Sequence, residues 1–159
     1  MFRIGQGYDV HKYSETPKPL IVGGIEVHPT MGVEAHSDGD VVLHALCDAI
    51  LGSVCLRDIG YHFPDTDSQF KGKDSQFFIR EVQKKALEKD YVIGNIDITI
   101  IAEAPKFLNY IEAMQHSIQN MLNLEKETVS IKATTTEKLG FIGRKEGIAA
   151  QATVLMIKQ

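Results

Sequence analysis

Apolar Phe2, Ile4, Tyr8 and Val10 are set against Arg3, Asp9 and His11 at the start of the chain. That two-residue period predicts a strand ending near His11. Gly5 and Gly7 interrupt it, as at a bulge or a close backbone approach. After a loop from Lys12 to Lys18, Leu20–Val22 and Ile25–Val27 flank Gly23-Gly24, the pattern of a tight hairpin. The period then changes. Val42, Leu46, Ala49, Ile50 and Val54 recur at helical spacing behind Ser37-Asp38-Gly39-Asp40, which offers N-cap side chains, so a helix is expected from about Asp38 to Gly52.

Arg57 to Gly72 is dense in Asp, Gly and Pro and reads as a loop long enough to be functional. Asp74-Ser75 caps a second helix with Phe78, Val82 and Ala86 on one face, ending near Lys89. Ile96, Ile98 and Ile100 alternate with Asp97, Thr99 and Ile101 as a strand, and Pro105 suits the first turn of a helix continuing through Ile111, Met114, Ile118 and Leu122. Val129–Ala133 and Ile148–Ile157 predict two more strands, joined by the polar segment Thr134–Gly147. The last strand is apolar on both faces, as in a central strand or a subunit contact. The element order predicts an α+β fold, a mixed β-sheet with helices packed on one face, in a single domain over residues 1–159.

Composition narrows the class without naming a function. Hydrophobic residues at 43% and charged residues at 24% of a 159-residue chain exclude disordered and fibrous classes. Seventeen Lys and Arg against 21 Asp and Glu leave a net charge of -4, so no nucleic-acid partner and no membrane surface are expected. The most apolar stretch, Ala45–Leu56, is broken by Asp48 and falls short of a membrane span. Cys47 and Cys55 match no disulfide framework or metal-finger spacing, which suits a reducing cytosol. No signal or transit segment is evident at Met1-Phe2-Arg3-Ile4-Gly5, so the expected compartment is cytoplasmic, or a plastid after removal of a transit peptide.

Two constellations carry chemistry. In Asp9-Val10-His11, strand spacing puts a carboxylate and an imidazole on one side, where both can meet one cation. His44 is the candidate third ligand because it sits in the apolar run Val41-Val42-Leu43-His44-Ala45-Leu46, where a polar ring needs a partner. Spacing alone favours a core histidine bonded to a backbone carbonyl over a metal ligand. If the three converge, two imidazoles and one carboxylate favour zinc over magnesium and leave a position open. The second constellation, Lys132 to Gly147, groups Thr134, Thr135, Thr136, Lys138 and Arg144 around Glu137. Hydroxyls and guanidinium suit phosphate oxygens and a carboxylate suits Mg²⁺, although a solvated hairpin loop has the same composition. Gly5-Gln6-Gly7 is not a dinucleotide fingerprint, since Val10 fills the third glycine position and a hairpin follows. His36-Ser37, Asp58, Asp65 and Asp67 read equally as caps and turns, and Cys47, Cys55, Phe77 and Phe78 as packing residues.

Taken together, Gly5-Gln-Gly-Tyr-Asp-Val-His11, Ala35-His-Ser-Asp-Gly-Asp40, Leu43-His-Ala45, Asp58-Ile-Gly60, Phe63-Pro-Asp-Thr-Asp67, Ala102-Glu-Ala-Pro-Lys106 and Ala133-Thr-Thr-Thr-Glu-Lys-Leu-Gly-Phe141 resemble the 2-C-methyl-D-erythritol 2,4-cyclodiphosphate synthase family, in register from about Phe2 to Lys158. The resemblance implies a homotrimer with sites at subunit interfaces. It implies zinc on Asp9, His11 and His44, and Mg²⁺ or Mn²⁺ on Glu137 bridging a diphosphate. The implied reaction cyclises 4-diphosphocytidyl-2-C-methyl-D-erythritol 2-phosphate with loss of CMP. Cytidine and phosphate contacts would fall on Ala102, Glu103, Ala104, Pro105, Lys106, Phe107 and Leu108, and on Thr134, Thr135, Thr136 and Glu137. Asp9, Val10, His11, Asp58, Ile59, Gly60, Phe63, Pro64, Asp65, Thr66, Asp67, Phe141 and Arg144 would add substrate contacts. His36 and Ser37 would lie beside the reacting phosphates, with His36 and Thr135 as transition-state donors. Ile142 replaces a usual Thr and Lys145 a usual small residue, near Arg144, where family trimers hold an isoprenoid diphosphate or other anion on the threefold axis.

That chemistry needs no activated serine or cysteine, because the nucleophile is the substrate's own phosphate; the task is to bring two anions together. A metal-dependent diphosphate hydrolase and a non-catalytic trimeric cytidine-nucleotide binder would use the same residue types.

Overall fold

The computed structural model describes residues 1–70 and 72–159; Lys71, within the expected Arg57–Gly72 loop, lies outside the described residues. In chain order the elements are β1 (Phe2–Lys12), β2 (Leu20–Val22), β3 (Ile25–His28), α1 (Val41–Ser53), α2 (Ile59–His62), α3 (Ser75–Leu87), β4 (Tyr91–Ile101), α4 (Ile111–Leu122), β5 (Val129–Thr134), α5 (Gly140–Gly143) and β6 (Gly147–Lys158). The four long strands form one mixed sheet in the order β1-β6-β4-β5, antiparallel except for the parallel β4–β5 pair. β2 and β3 form a separate hairpin. The fold is α+β, as expected from the order of periods.

β6 is the central strand that its two-sided apolar pattern predicts. Ile148, Ala150, Ala152, Val154 and Met156 are buried toward the helices, while Leu155 and Ile157 on the other side are only half-buried. α1 lies across β1 and β6 with α3 against it. Ten of the 13 residues of α1 are buried, which explains why its sequence is apolar nearly all round.

The glycines of β1 determine how close α1 comes. A Cβ on Gly5 would stand 1.8 Å from the Ala49 carbonyl oxygen, and one on Gly7 would stand 2.0 Å from that of Ala45. Helix backbone therefore rests directly on strand backbone. The register between β1 and β6 is unbroken from Phe2 to Lys12, so the glycines mark a close approach and not a bulge. Asp9 and His11 continue the same side of the strand, and α1 is thereby brought down onto them.

Asp40 sets the start of α1. Its Oδ1 accepts the N–H groups of Val42 (3.1 Å) and Leu43 (3.0 Å), which caps the helix, and also that of Gly23 (2.9 Å). Its Oδ2 accepts from Gly24 (2.6 Å). Gly23 and Gly24 have φ of 61° and 78°, the paired positive values of a two-residue hairpin turn. One fully buried carboxyl thus fastens the hairpin to the helix; burial pushes its pKa up to about 6, against the opposing pull of the backbone donors.

Four details differ from the sequence reading. α1 begins at Val41, because Asp40 is an extended N-cap and Gly39 before it has a positive φ of 72°, its N–H held by Ser37 Oγ. β4 begins at Tyr91, since Tyr91–Ile93 pair with Lys158–Met156; the irregularity at Gly94 hides the period. Pro105 does not open a helix: residues 102–107 stay irregular, tied by the Ala102 N–H to Thr134 and by the Ala104 carbonyl to the Tyr13 hydroxyl, and α4 begins at Ile111 after a 3-10 turn. Short helices occur inside both expected loops, α2 in the first and α5 in the second, where Ile142 is buried.

Gly→Ala exchange at an ordinary site stabilises by about 0.4–1 kcal/mol. At Gly7 the sign inverts: Gly7→Ala is expected to lower the unfolding free energy by at least the ~1–3 kcal/mol of an overpacked site, read from urea denaturation.

Candidate functional site

β1 and α1 together build a three-ligand cluster. His11 Nε2 stands 3.0 Å from Asp9 Oδ2, His44 Nδ1 stands 3.2 Å from the same oxygen, and the two ring nitrogens are 3.1 Å apart. Donors about 2.0–2.2 Å from a tetrahedral ion stand roughly 3.3–3.6 Å from one another, so this triangle, with edges of 3.0–3.2 Å, is slightly tighter than a coordination face. It is the cluster of metal-ligating type among the described residues. The side chains of Asp9, His11 and His44 retain 26%, 17% and 14% exposure, which leaves a fourth position reachable from solvent. The donor set fits a divalent transition metal with an open site.

Charge reinforces the arrangement. Burial works against an ionised Asp9, but hydrogen bonds and positive charge from His11 and His44 prevail and hold its carboxyl well below the usual carboxylate range. Burial likewise opposes a charged His44, whereas Asp9, with Asp40 and Asp38 behind it, raises its pKa.

The triad opens into a cleft of ≈ 860 Å³. His11, His36, Ser37, His44, Ile59, Gly60, Phe63, Pro64 and Asp65 line it, as do Glu34, Ala35, Phe70 and Phe78. His36 is exposed and its Nδ1 lies 3.9 Å from Asp65 Oδ2 across the mouth. Asp58 caps α2 by accepting from Tyr61 N–H, and Asp48 of α1 accepts from Ile59 N–H at 2.7 Å, which fixes α2 beside the triad. Asp67 binds the backbone and side chain of Gln69, and Thr66 is exposed; neither lines the cleft. Val10 points to the other face of β1, where it shares a small cavity with Phe141. Arg144 is paired with Glu146 at 2.7 Å.

A second cleft of ≈ 550 Å³ lies at the opposite edge of the sheet, between β5 and the start of α4. Ala102, Pro105, Lys106, Phe107, Leu108, Thr134 and Thr135 line it, with Ile111, Glu112, Ile131, Lys132 and Ala133. Glu103 and Ala104 hold its walls instead: Glu103 Oε1 accepts from the N–H groups of Thr136 and Lys138 at 3.2 and 3.0 Å, which also lowers its pKa, and Ala104 accepts from Tyr13. Glu137 lies behind Thr135, accepting its hydroxyl proton at 3.1 Å. The two clefts share no lining residue, and three strand spacings of roughly 4.8 Å separate β1 from β5. Within one chain, His36 and Thr135 therefore belong to different clefts.

Sequence reasoning passed over Phe70, Phe78 and Ser75. Phe63 packs against Phe70 and Phe78 with ring centroids 5.3 and 5.1 Å apart, so Phe78, which reads as core, and Phe70, from the expected loop, also form the apolar wall of the first cleft. Ser75 reads as a cap, but Asp74 is the cap, and the Ser75 hydroxyl reaches His44. Thirty-one residues separate the pair, and no local pattern could have joined them.

The YgbB family model matches residues 2–157. A 2-C-methyl-D-erythritol 2,4-cyclodiphosphate synthase of Francisella philomiragia is 59% identical over 155 residues, 98% of either chain. Among solved structures, the bifunctional IspDF of Campylobacter jejuni superposes with a TM-score of 0.96 at 45% identity; all of this chain is covered, spanning 43% of that longer protein. The CDP complex of Plasmodium falciparum IspF gives 0.86 at 38% identity, over 99% of this chain and 97% of the other.

For the triad itself, His44→Ala is expected to abolish stoichiometric retention of a divalent metal while leaving the circular dichroism of the fold intact. Metal analysis after gel filtration reads the outcome; metal retained by the variant would remove His44 from the ligand set.

Proposed function

From the YgbB family, to which this chain belongs, we propose that the protein is a lyase of isoprenoid precursor synthesis, one synthase domain over residues 1–159. It converts 4-diphosphocytidyl-2-C-methyl-D-erythritol 2-phosphate to 2-C-methyl-D-erythritol 2,4-cyclodiphosphate and CMP. An oxygen of the 2-phosphate bonds to the β-phosphorus. The bond from that phosphorus to the oxygen bridging the two diphosphate phosphorus atoms breaks, and this oxygen leaves with CMP. The observation that carries the reading is the Asp9, His11 and His44 triangle at the floor of a cleft sized for a small phosphorylated molecule.

Asp9, His11 and His44 would hold zinc, and Glu137, a carboxylate next to the hydroxyl of Thr135, would hold Mg²⁺ or Mn²⁺ against the diphosphate. Such cations neutralise phosphate charge, and folding a single substrate back on itself draws on intramolecular alignment worth up to ~7–11 kcal/mol. The protein's own part is placement. His36 and Ser37 at the mouth of the first cleft hydrogen-bond the reacting phosphates, and the wall from Ile59 to Asp65 receives the methylerythritol portion. At the second cleft, residues 102–108 take the cytosine and ribose, while Thr134 and Thr135 bond phosphate oxygens. Thr135 and His36 serve as donors to charge that grows in the transition state.

Placement also explains the assembly we propose. A substrate touching both clefts cannot be served by one chain whose clefts lie at opposite sheet edges, so the β1 edge of one copy meets the β5 edge of the next in a closed homotrimer. The outer face of β1 supports this, with Phe2, Ile4 and Tyr8 exposed by 69%, 73% and 53% beside Leu155 and Ile157. Val10, Phe141 and Arg144 then lie near the axis, where an isoprenoid diphosphate or other anion fits. Free Cys47 and Cys55 accord with a reducing compartment, the cytoplasm.

Phosphorus NMR with substrate and Mg²⁺, before and after removal of zinc, tests the reaction. The expected result is cyclic diphosphate and CMP, lost on chelation and restored by zinc. Linear phosphate products would make the protein a hydrolase, and bound CDP without turnover would make it a binding module. For the assembly, Ile4→Glu is expected to shift sedimentation from trimer to monomer and abolish turnover; a trimeric variant would place the interface elsewhere.

A further inference from the structure

We propose that Ser75, held by Asp38, is the positioning residue for His44 and keeps its Nδ1 free as the metal-ligating atom. The inference rests on the metal reading of the Asp9, His11 and His44 cluster. His44 Nδ1 faces Asp9 Oδ2 at 3.2 Å and His11 Nε2 at 3.1 Å, whereas its Nε2 faces Ser75 Oγ at 3.0 Å. Ser75 is fully buried, and its hydroxyl also contacts Asp38 Oδ1, while its backbone N–H donates to Asp38 Oδ2 at 3.1 Å. An ionised carboxylate only accepts, so the single hydroxyl proton of Ser75 goes to Asp38. The lone pairs of Ser75 Oγ then face His44, and Nε2 must be the nitrogen that carries the proton. In the neutral ring Nδ1 is then left with its lone pair aimed at the cluster. Ser37 Oγ lies farther from Nε2, at 3.4 Å, and accepts the Gly39 N–H at 3.2 Å.

The chain of contacts joins the start of α1 to the start of α3, two segments that only the fold brings together. Asp38 precedes the Asp40 cap of α1, Ser75 is the first residue of α3, and His44 lies one turn into α1. Docking of α3 on α1 therefore sets the tautomer as well as the packing. Hydrogen-bond partners of this kind fix ring orientation and raise ligand basicity, and their loss typically weakens metal binding about 10–100-fold.

Two variants separate positioning from folding. Ser75→Ala keeps the Asp74 cap of α3, and Asp38→Asn keeps the shape while giving Ser75 a donor in place of a pure acceptor. The measurements are zinc affinity by chelator competition, and the His44 tautomer by nitrogen-15 NMR of the metal-free protein at alkaline pH. The expected result is affinity about 10–100-fold weaker in both variants, with wild-type His44 protonated at Nε2 and that signature lost in both. Unchanged affinity and tautomer in Ser75→Ala would overturn the proposal, as would a loss confined to Ser37→Ala. A wild-type chain that binds no divalent metal would overturn the metal reading beneath it, a separate and distinguishable failure.

Discussion

The contact of α1 with the bare backbone of β1 at Gly5 and Gly7 governs the rest of the molecule. Removing two Cβ atoms lowers the helix until carbonyl oxygens of Ala45 and Ala49 touch the strand. Asp9 and His11 are the next residues on that face, and they meet His44 as a result. The Asp40 clamp acts at the other coordinate: it sets where along the helix axis the first turn begins, and hence which residue stands above Asp9.

Electrostatics and packing are then mutually dependent. Three polar side chains with little exposure are tolerable at the end of an apolar helix because they partner one another: the Asp9 carboxylate lies within 3.2 Å of a nitrogen of each ring, and Ser75 and Asp38 take up the far side of His44. No buried side-chain nitrogen or oxygen is left without a partner among the described residues. The second cleft is built on a different economy, mostly backbone and aliphatic surface from residues 102–108 and β5, suited to a flat ring and to phosphate oxygens.

Much of this was legible in the chain because its signals are local. The alternation of β1, the Gly-Gly hairpin, the periodicity of α1 and α3 and the two-sided apolar character of β6 each follow from period alone, and Asp9 with His11 follows from strand geometry. The partnership with His44 was not fixed by spacing, since a histidine in an apolar helix is equally satisfied by a carbonyl; seven motifs in one order raised it. What stayed hidden depends on tertiary placement. The segment after Ile101 stays irregular up to the 3-10 turn at Leu108 because Thr134 and Tyr13, distant in sequence, hold residues 102 and 104. Ser75 is indistinguishable from any residue of a capped first turn until α3 is docked. Similarly, the separation of the two clefts is a property of strand order, which no local pattern encodes.

Gly5 and Gly7 carry one more consequence, for how tolerance to substitution is interpreted. In a comprehensive substitution map scored by function, these positions should be as intolerant as Asp9 and His11, since every other residue puts an atom where a carbonyl oxygen already stands. Neither has a side chain with which to touch a substrate or an ion. Intolerance on the inward side of β1 therefore records two different demands, shape at 5 and 7 and reactivity at 9 and 11, and only the close approach of the helix tells them apart.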